Sequence, residues 1–189
     1  RNVDDLIKQA DAAMFSAKNL GRNNYQFFTS ALNEEVQERM LLESGLRLAI
    51  QRDELCLVYQ PKIDLTTREL IGTEALIRWR HPGLGMIAPS RFIPVAEESG
   101  MVGQIGEWVL RSACRQIRAW QDAGIAMPVA VNVSARQFPQ YDLAELVRTV
   151  LTEAAVAPRL LEIELTESAV MQDAEASVIT LERLKTLGV

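Results

Sequence analysis

Cysteine and histidine are scarce in this sequence, whose 189 residues include two cysteines and one histidine. Cys56 and Cys114 have neither the number nor the spacing of a disulfide framework or a zinc site. We therefore expect two buried free thiols, which is typical of cytoplasmic proteins. His81 begins a His-Pro-Gly sequence, a turn signal, and we interpret this histidine as structural.

Long apolar runs and an excess of positive charge are also missing. No run approaches the roughly 18 apolar residues that cross a bilayer, so no membrane contact by this segment is expected. The net charge is −5, which disfavours broad attraction to a DNA or RNA polymer or to an acidic membrane. An anionic ligand would need local help from metal ions or particular arginines.

The first part of the sequence is helical in pattern. Residues 3–20 carry apolar residues at helical spacing, and Gly21 is a plausible end of that helix. Residues 25–28 could form a strand, and residues 32–52 have the pattern of a charged connecting helix. We therefore predict three segments: 1–30, a connecting helix over 31–53, and a third segment over 54–189.

The third segment alternates between strands and helices. This rhythm predicts an α/β fold with a mainly parallel sheet. Only about a dozen residues separate the first two strands, too few for a parallel crossover, so we expect them to pair antiparallel. A closed barrel needs about eight strands, and the sheet therefore looks incomplete. The predicted strands cover 57–60, 72–79, 129–134 and 161–166, and the helices cover 90–98 (capped by Ser90), 102–123 (ended by Gly124), 142–154 (capped by Asp142) and a last one opened by Asp173.

Three oxygen-bearing side chains recur in the middle of these strands. Glu74, Asn132 and Glu164 each alternate with apolar neighbours that point to the opposite face. Carboxylate and amide oxygens are ligands for Mg²⁺, Mn²⁺ or Ca²⁺, not for zinc or copper. The pattern favours a hard-cation site shared by three strands.

Each of these residues also has a plainer interpretation. Glu74 could form an internal salt bridge with Arg78, two places along the same face, instead of leaving Arg78 to clamp a phosphate. Asn132 could cap a strand end, and Glu164 could lie on an exposed strand face. Gln60 could hydrogen-bond a base or a phosphate, or be a surface glutamine before a proline. Two further glutamates, Glu97 and Glu98, are more typical of a solvated helix end, and Trp79, Trp108 and Trp120 of core or interface positions.

Several ordered motifs resemble the EAL-domain family of bacterial cyclic di-GMP phosphodiesterases. The resemblance runs from about residue 41 to residue 189 and is specific because the motifs keep the family's order and spacing. The matching pieces are Tyr-Gln-Pro at 59–61, Glu-Ala-Leu-Ile-Arg-Trp at 74–79, His-Pro at 81–82, Phe-Ile-Pro-Val-Ala-Glu-Glu-Ser-Gly at 92–100, Val-Asn-Val-Ser-Ala-Arg-Gln-Phe at 131–138 and Glu-Leu-Thr-Glu-Ser at 164–168.

The first 28 or so residues resemble the end of a GGDEF domain, the fold of diguanylate cyclases. The matching residues are Ala-Asp-Ala-Ala-Met-Phe at 10–15, Ala-Lys at 17–18 and Gly-Arg-Asn at 21–23. The Gly-Gly-(Asp/Glu)-Glu-Phe signature itself is absent, so cyclase chemistry is not expected of this segment. The resemblance implies a GGDEF–EAL tandem, with 1–30 a GGDEF remnant and 54–189 the first half of a TIM-like (β/α)8 barrel.

The family resemblance also implies roles for particular residues. Glu74, Asn132 and Glu164 would ligate Mg²⁺ or Mn²⁺, and Gln60, Leu76 and Arg78 would contact the dinucleotide. Glu167 would steady the loop after the strand that carries Glu164. In the family, two ions activate a water that attacks one phosphodiester bond, which gives a linear dinucleotide.

The resemblance covers only part of the family's domain. The family's Asp-Asp metal pair, lysine and later glutamate belong to strands five to eight, and this sequence stops where the fifth begins. We therefore expect the 189-residue chain alone to be inactive. The leading hypothesis is a fragment of an active cyclic di-GMP phosphodiesterase. We also expect a homodimer formed through the EAL domain. The alternatives are a degenerate domain that only binds cyclic di-GMP and a dimerisation module.

Overall fold

The structure, a computed structural model, describes residues 2–19, 23–134, 142–165 and 174–189. Two compact units are distinguished, residues 1–47 and 48–189. In the described part of the chain, no helix combines the length and the apolar character needed to cross a membrane.

The first unit contains helix α1, Val3–Asn19, and most of helix α2, Ser30–Ala49. The Thr29 hydroxyl accepts a hydrogen bond from the Leu32 N–H at 3.1 Å, which caps the start of α2. Several apolar side chains of α1 are exposed, among them Leu6, Ile7 and Met14. The predicted helices over 3–20 and 32–52 are therefore present with slightly different ends, whereas Gly21 lies outside the described residues.

The predicted strand over 25–28 is wrong, because these residues form no regular secondary structure. The rings of Tyr25 and Phe27 contact each other edge to face, with centroids 5.5 Å apart. Both are exposed. Alternating apolar residues form a strand only when a neighbouring strand supplies hydrogen bonds, and no described residue pairs with this segment.

A five-stranded sheet organises the second unit. Strand β1 pairs antiparallel with β2, as the short connection predicts, and β2, β4 and β5 follow one another in parallel. A short strand, β3, lies between the predicted strand over 72–79 and the predicted helix over 90–98, and it pairs with the end of β2. The strands are β1 Leu55–Ile63, β2 Leu70–His81, β3 Gly85–Ile87, β4 Val129–Val133 and β5 Leu161–Leu165.

Four α-helices of this unit lie in the described part of the chain: α3 Pro89–Glu98, α4 Val102–Asp122, α5 Leu143–Ala154 and α6 Ala174–Leu187. Asp142 caps α5 as predicted, accepting a hydrogen bond from the Glu145 N–H at 3.0 Å. Gly124, past the end of α4, has the positive φ of +80° that favours glycine. Ser90 does not cap α3, since Ala88 occupies that position and Pro89 begins the helix. Asp173 lies outside the described residues.

The core lies between one face of the sheet and the helices. Trp79 and Phe92 are fully buried, and their rings meet edge to face with centroids 5.8 Å apart. Trp108 and Trp120 on α4 are only half-buried. Cys114 is buried as expected, but Cys56 is half-buried, and both are free thiols. Burial raises the pKa of the Cys114 thiol to about 11.

His81 has the structural role expected of it. Its Nδ1 accepts hydrogen bonds from the backbone N–H groups of Gly83 and Leu84, each at 3.1 Å. The imidazole therefore closes the turn between β2 and β3.

Candidate active site

One face of the sheet is polar, and strand register decides which residues share it. Residues paired directly across neighbouring strands point to the same face. Gln60 pairs with Glu74, Glu74 with Ala130, and Asn132 with Glu164. We call this side the polar face; its members are Gln60, Lys62, Glu74, Leu76, Arg78, Ala130, Asn132, Glu162 and Glu164.

Glu74 and Asn132 are in direct contact on the polar face. The Asn132 amide Nδ2 donates a hydrogen bond to Glu74 Oε1 at 2.7 Å. The two residues lie on the neighbouring parallel strands β2 and β4, with Glu74 opposite Ala130 and Asn132 two residues farther along. The side chains therefore lean towards each other along the strands.

Glu164 completes this group from the next strand. It lies directly opposite Asn132 in the parallel pair β4–β5, where side chains of paired residues are about 5 Å apart. The structure thus brings Glu74, Asn132 and Glu164 together on one face of three consecutive strands. Glu164 is half-buried, so the fully exposed strand face considered above does not describe it.

A lysine that the sequence reasoning missed also reaches Glu164. Lys62 Nζ lies 2.6 Å from Glu164 Oε1 and 3.2 Å from Glu162 Oε2. The hydrogen bond to Glu164 is the main cause that raises the pKa of the Lys62 ammonium above its usual value. The signal was available: Lys62 follows Gln60 by two residues and therefore shares its face if β1 continues through Pro61.

Arg78 is not the partner of Glu74. Its guanidinium Nη1 donates to the Ile77 carbonyl oxygen at 2.8 Å, and within the described ranges no ion pair joins it to Glu74. The internal salt bridge considered from spacing alone is therefore wrong. Arg78 and Leu76 are both half-buried on the polar face, and Gln60 is exposed there.

A second missed contact lies at the carboxyl end of β4. The Ser134 hydroxyl donates to Glu97 Oε1 at 2.5 Å, which joins the end of α3 to the residue two places after Asn132. Glu97 is half-buried, so it is not a freely solvated helix end. Glu167, the remaining predicted site residue, lies outside the described residues.

The donor chemistry of the polar face fits a hard divalent cation. Two carboxylates and one amide supply the oxygen ligands that Mg²⁺ and Mn²⁺ prefer. Glu164 already holds a cation, the Lys62 ammonium, which shows that this position attracts positive charge. Groups of three or more His, Cys, Asp or Glu side chains poised for a metal are not found in the part of the chain that the structure describes. The three candidate ligands include two residues of these types, Glu74 and Glu164, whereas the third ligand is Asn132.

A cavity of about 310 Å³ lies elsewhere, between β1 and α4. Its lining includes Leu57, Tyr59, Trp108 and Arg115. Leu57 and Tyr59 alternate with Gln60 and so point away from the polar face. The cavity is therefore separate from the candidate site.

The mixed sheet, whose parallel strands β2, β4 and β5 carry acidic and amide side chains on one face, defines an α/β protein with a candidate metal site. The chain belongs to the EAL domain family, whose family model matches residues 43–189. It is 48% identical over 186 residues to the bifunctional diguanylate cyclase/cyclic di-GMP phosphodiesterase MucR of Pseudomonas aeruginosa, with 98% of the chain and 27% of that protein covered. It is 42% identical over 187 residues to the cyclic di-GMP phosphodiesterase NbdA of the same organism, covering 98% of the chain and 24% of NbdA. The chain thus spans about a quarter of the length of these relatives.

Solved structures agree on the fold. The PaMucR phosphodiesterase in complex with c-di-GMP superposes with a TM-score of 0.76 at 47% identity, covering 79% of this chain and 61% of that one. The Xanthomonas citri FimX EAL domain in complex with c-diGMP gives a TM-score of 0.72 at 26% identity, covering 82% and 60%. The fold is accordingly α/β, an incomplete (β/α)8 barrel with an antiparallel first strand, as predicted.

Proposed function

We propose that the protein containing this chain is a divalent-metal-dependent phosphodiesterase that hydrolyses cyclic di-GMP to the linear dinucleotide. The observation that carries the proposal is the convergence of Glu74, Asn132 and Glu164 on one face of three parallel strands. The names of two relatives, both cyclic di-GMP phosphodiesterases, supply the substrate class.

Glu74, Asn132 and Glu164 would hold Mg²⁺ or Mn²⁺ through their side-chain oxygens. When bound, such ions lower the pKa of water and stabilise charge on attacking and leaving oxygens. The Asn132 amide donates to Glu74 in the structure, and turning it over would offer its oxygen instead. The chain thus provides three side chains with oxygen donors on one face of the sheet.

Arg78, Leu76 and Gln60 would contact the dinucleotide. One guanidinium nitrogen of Arg78 is held by the Ile77 carbonyl, and the other N–H donors can face a phosphate. Leu76 supplies an apolar surface between Glu74 and Arg78 on the same face. Glu167 would steady the loop after β5.

We also propose that the first 30 residues are the end of a GGDEF domain. Support comes from the relative MucR, whose similarity covers 98% of the chain and whose name includes diguanylate cyclase. The exposed apolar residues of α1 further suit a helix whose packing partners belong to the rest of a domain. A homodimer formed through the EAL domain stays a prediction, which light scattering on the intact protein would test.

Hydrolysis of cyclic di-GMP by the intact protein tests the proposal. With Mg²⁺ or Mn²⁺ we expect the linear dinucleotide as product, and we expect E164Q or E74Q to lower kcat at least about 100-fold, because each removes a charged ligand. E182Q is the matched control, since Glu182 undergoes the same chemical change on an exposed position of α6.

Two results would count against the proposal. Product formation that is unaffected by E164Q and E74Q would remove these residues from the site. Tight binding of cyclic di-GMP without any product, by the intact wild-type protein with metal present, would favour the alternative of a receptor domain.

A further inference from the structure

Lys62 has an unusual position for a residue outside the proposed ligand set. Its ammonium lies within hydrogen-bond distance of two carboxylates on β5, 2.6 Å from Glu164 and 3.2 Å from Glu162. Lys62 itself belongs to β1, and β2 and β4 lie between these two strands in the sheet. The side chain therefore extends across the polar face to reach an acidic pair about a hundred residues later in the sequence.

The acidic pair explains why a cation is needed there. Glu162 and Glu164 are two residues apart on one strand and share the polar face, so their negative charges repel each other. An ammonium between them offsets this repulsion. The Lys62 and Glu164 side chains are 32% and 38% exposed, which leaves the pair only partly screened by water.

We infer that the Lys62 ammonium is a built-in counter-ion of Glu164 that competes with the divalent ion for that carboxylate. Glu162, already within reach at 3.2 Å, receives the ammonium when Glu164 turns to the metal. The inference rests on the proposed function, because it takes Glu164 to be a metal ligand. Lys62 is thus a positioning residue that acts on the ion through Glu164.

This arrangement predicts in which direction the affinity for the divalent ion changes when the Lys62 charge is removed. Removing the lysine charge removes a competitor and a repulsive neighbour of the incoming ion, so metal affinity rises. A lysine that only oriented Glu164 for the metal would give the opposite result, since its loss would leave the ligand less ordered and the affinity lower.

The test is a titration of the intact protein with Mn²⁺, followed by the electron paramagnetic resonance signal of free Mn²⁺. We expect K62M, which keeps an unbranched apolar chain, to bind Mn²⁺ about tenfold more tightly than the wild type, a size typical of one nearby charge near the surface. K62R keeps the charge and should bind within about twofold of the wild type. K185M is the matched control for net charge, because Lys185 lies exposed on α6.

Thermal unfolding gives a second readout that also checks folding. In EDTA, K62M should melt below the wild type, because Glu162 and Glu164 lose their counter-ion, and saturating Mn²⁺ should raise its melting temperature by more than it raises that of the wild type. K62Q serves in the same titration if K62M does not fold.

The outcomes separate the two proposals. If the wild type binds Mn²⁺ and K62M or K62Q binds it equally or more weakly, the role of Lys62 is wrong while the metal site stands. If neither the wild type nor the Lys62 variants bind Mn²⁺, both proposals fail. Binding by K62M that exceeds binding by the wild type supports both.

Discussion

The two carboxylates proposed as metal ligands have different kinds of partner. Glu74 accepts from the Asn132 amide, and Glu164 from the Lys62 ammonium. A partly buried carboxylate is stabilised by either kind of donor, so neither side chain is left uncompensated next to the sheet. The difference matters for metal binding, because an amide can turn over to offer its oxygen whereas an ammonium must move away.

The two cysteines differ in burial, and their reactivity should differ accordingly. Cys114 is buried on α4 with its pKa raised to about 11, so both access and thiolate formation are suppressed there. Cys56 is half-buried on β1. We therefore expect a thiol reagent such as DTNB at pH 8 to label Cys56 in the folded protein and Cys114 only after denaturation.

The single variants C56S and C114S identify which thiol reacts. Native C114S should keep the fast reaction, and native C56S should show almost none. Rapid labelling of native C56S would contradict the burial of Cys114.

Helix α5 depends on Asp142 at its start. The carboxylate accepts from the Glu145 N–H at 3.0 Å and pairs with Arg183 of α6 at 2.9 Å. We expect D142A to lower the free energy of unfolding by about 1 kcal/mol at pH 7, because it removes the helix cap. D142N keeps a capping oxygen but loses the charge, so its free energy of unfolding should fall by less than that of D142A.

The pH dependence of this effect has a fixed sign. The backbone hydrogen bond from Glu145, followed by the bond from Arg183, lowers the pKa of Asp142 below its usual 3.8. The stabilisation from the charge is therefore present above pH 3.8 and is lost as pH falls through the lowered pKa of the folded state. Urea unfolding of wild type, D142A and D142N at pH 7 and pH 3 measures it. The free energies of unfolding of wild type and D142N should converge at low pH. A difference between them that is constant with pH would contradict a stabilising role for the Asp142 charge.

The helices and main strands could be predicted because their signals are local. Side-chain alternation placed Glu74, Asn132 and Glu164 on one face, and a connection too short for a crossover made β1 and β2 antiparallel. Strand β3 could not be predicted, since its three residues form a strand only because the end of β2 supplies a partner. The strand predicted over residues 25–28 is wrong for the same reason, because no described strand pairs with this segment.

The site contacts that were missed depend on long-range register. Lys62 meets Glu164 across two strands, and Ser134 meets Glu97 across the packing of α3 on the sheet. The spacing of residues along the sequence predicts neither of these two contacts. The salt bridge considered between Glu74 and Arg78 shows that favourable local spacing does not ensure a contact. Glu74 instead accepts from Asn132, and Arg78 donates to the Ile77 carbonyl.

The described sheet has five strands, of which four carry the polar face. A barrel of this kind closes with about eight strands. We therefore expect the 189-residue chain alone to show less than about 1% of the cyclic di-GMP turnover of the intact protein, because the described strands do not by themselves close a barrel around the site. Side-by-side assays with Mn²⁺ at equal molar concentration check this, and comparable activity of the two would contradict it.

In the proposed site, three side chains from three strands hold one divalent ion. Anomalous diffraction from crystals of the intact protein soaked in Mn²⁺ tests it most directly. We expect a manganese peak within about 2.5 Å of side-chain oxygens of Glu74, Asn132 and Glu164 together. A peak held by other residues, or no peak on this face of the sheet at saturating Mn²⁺, would contradict it.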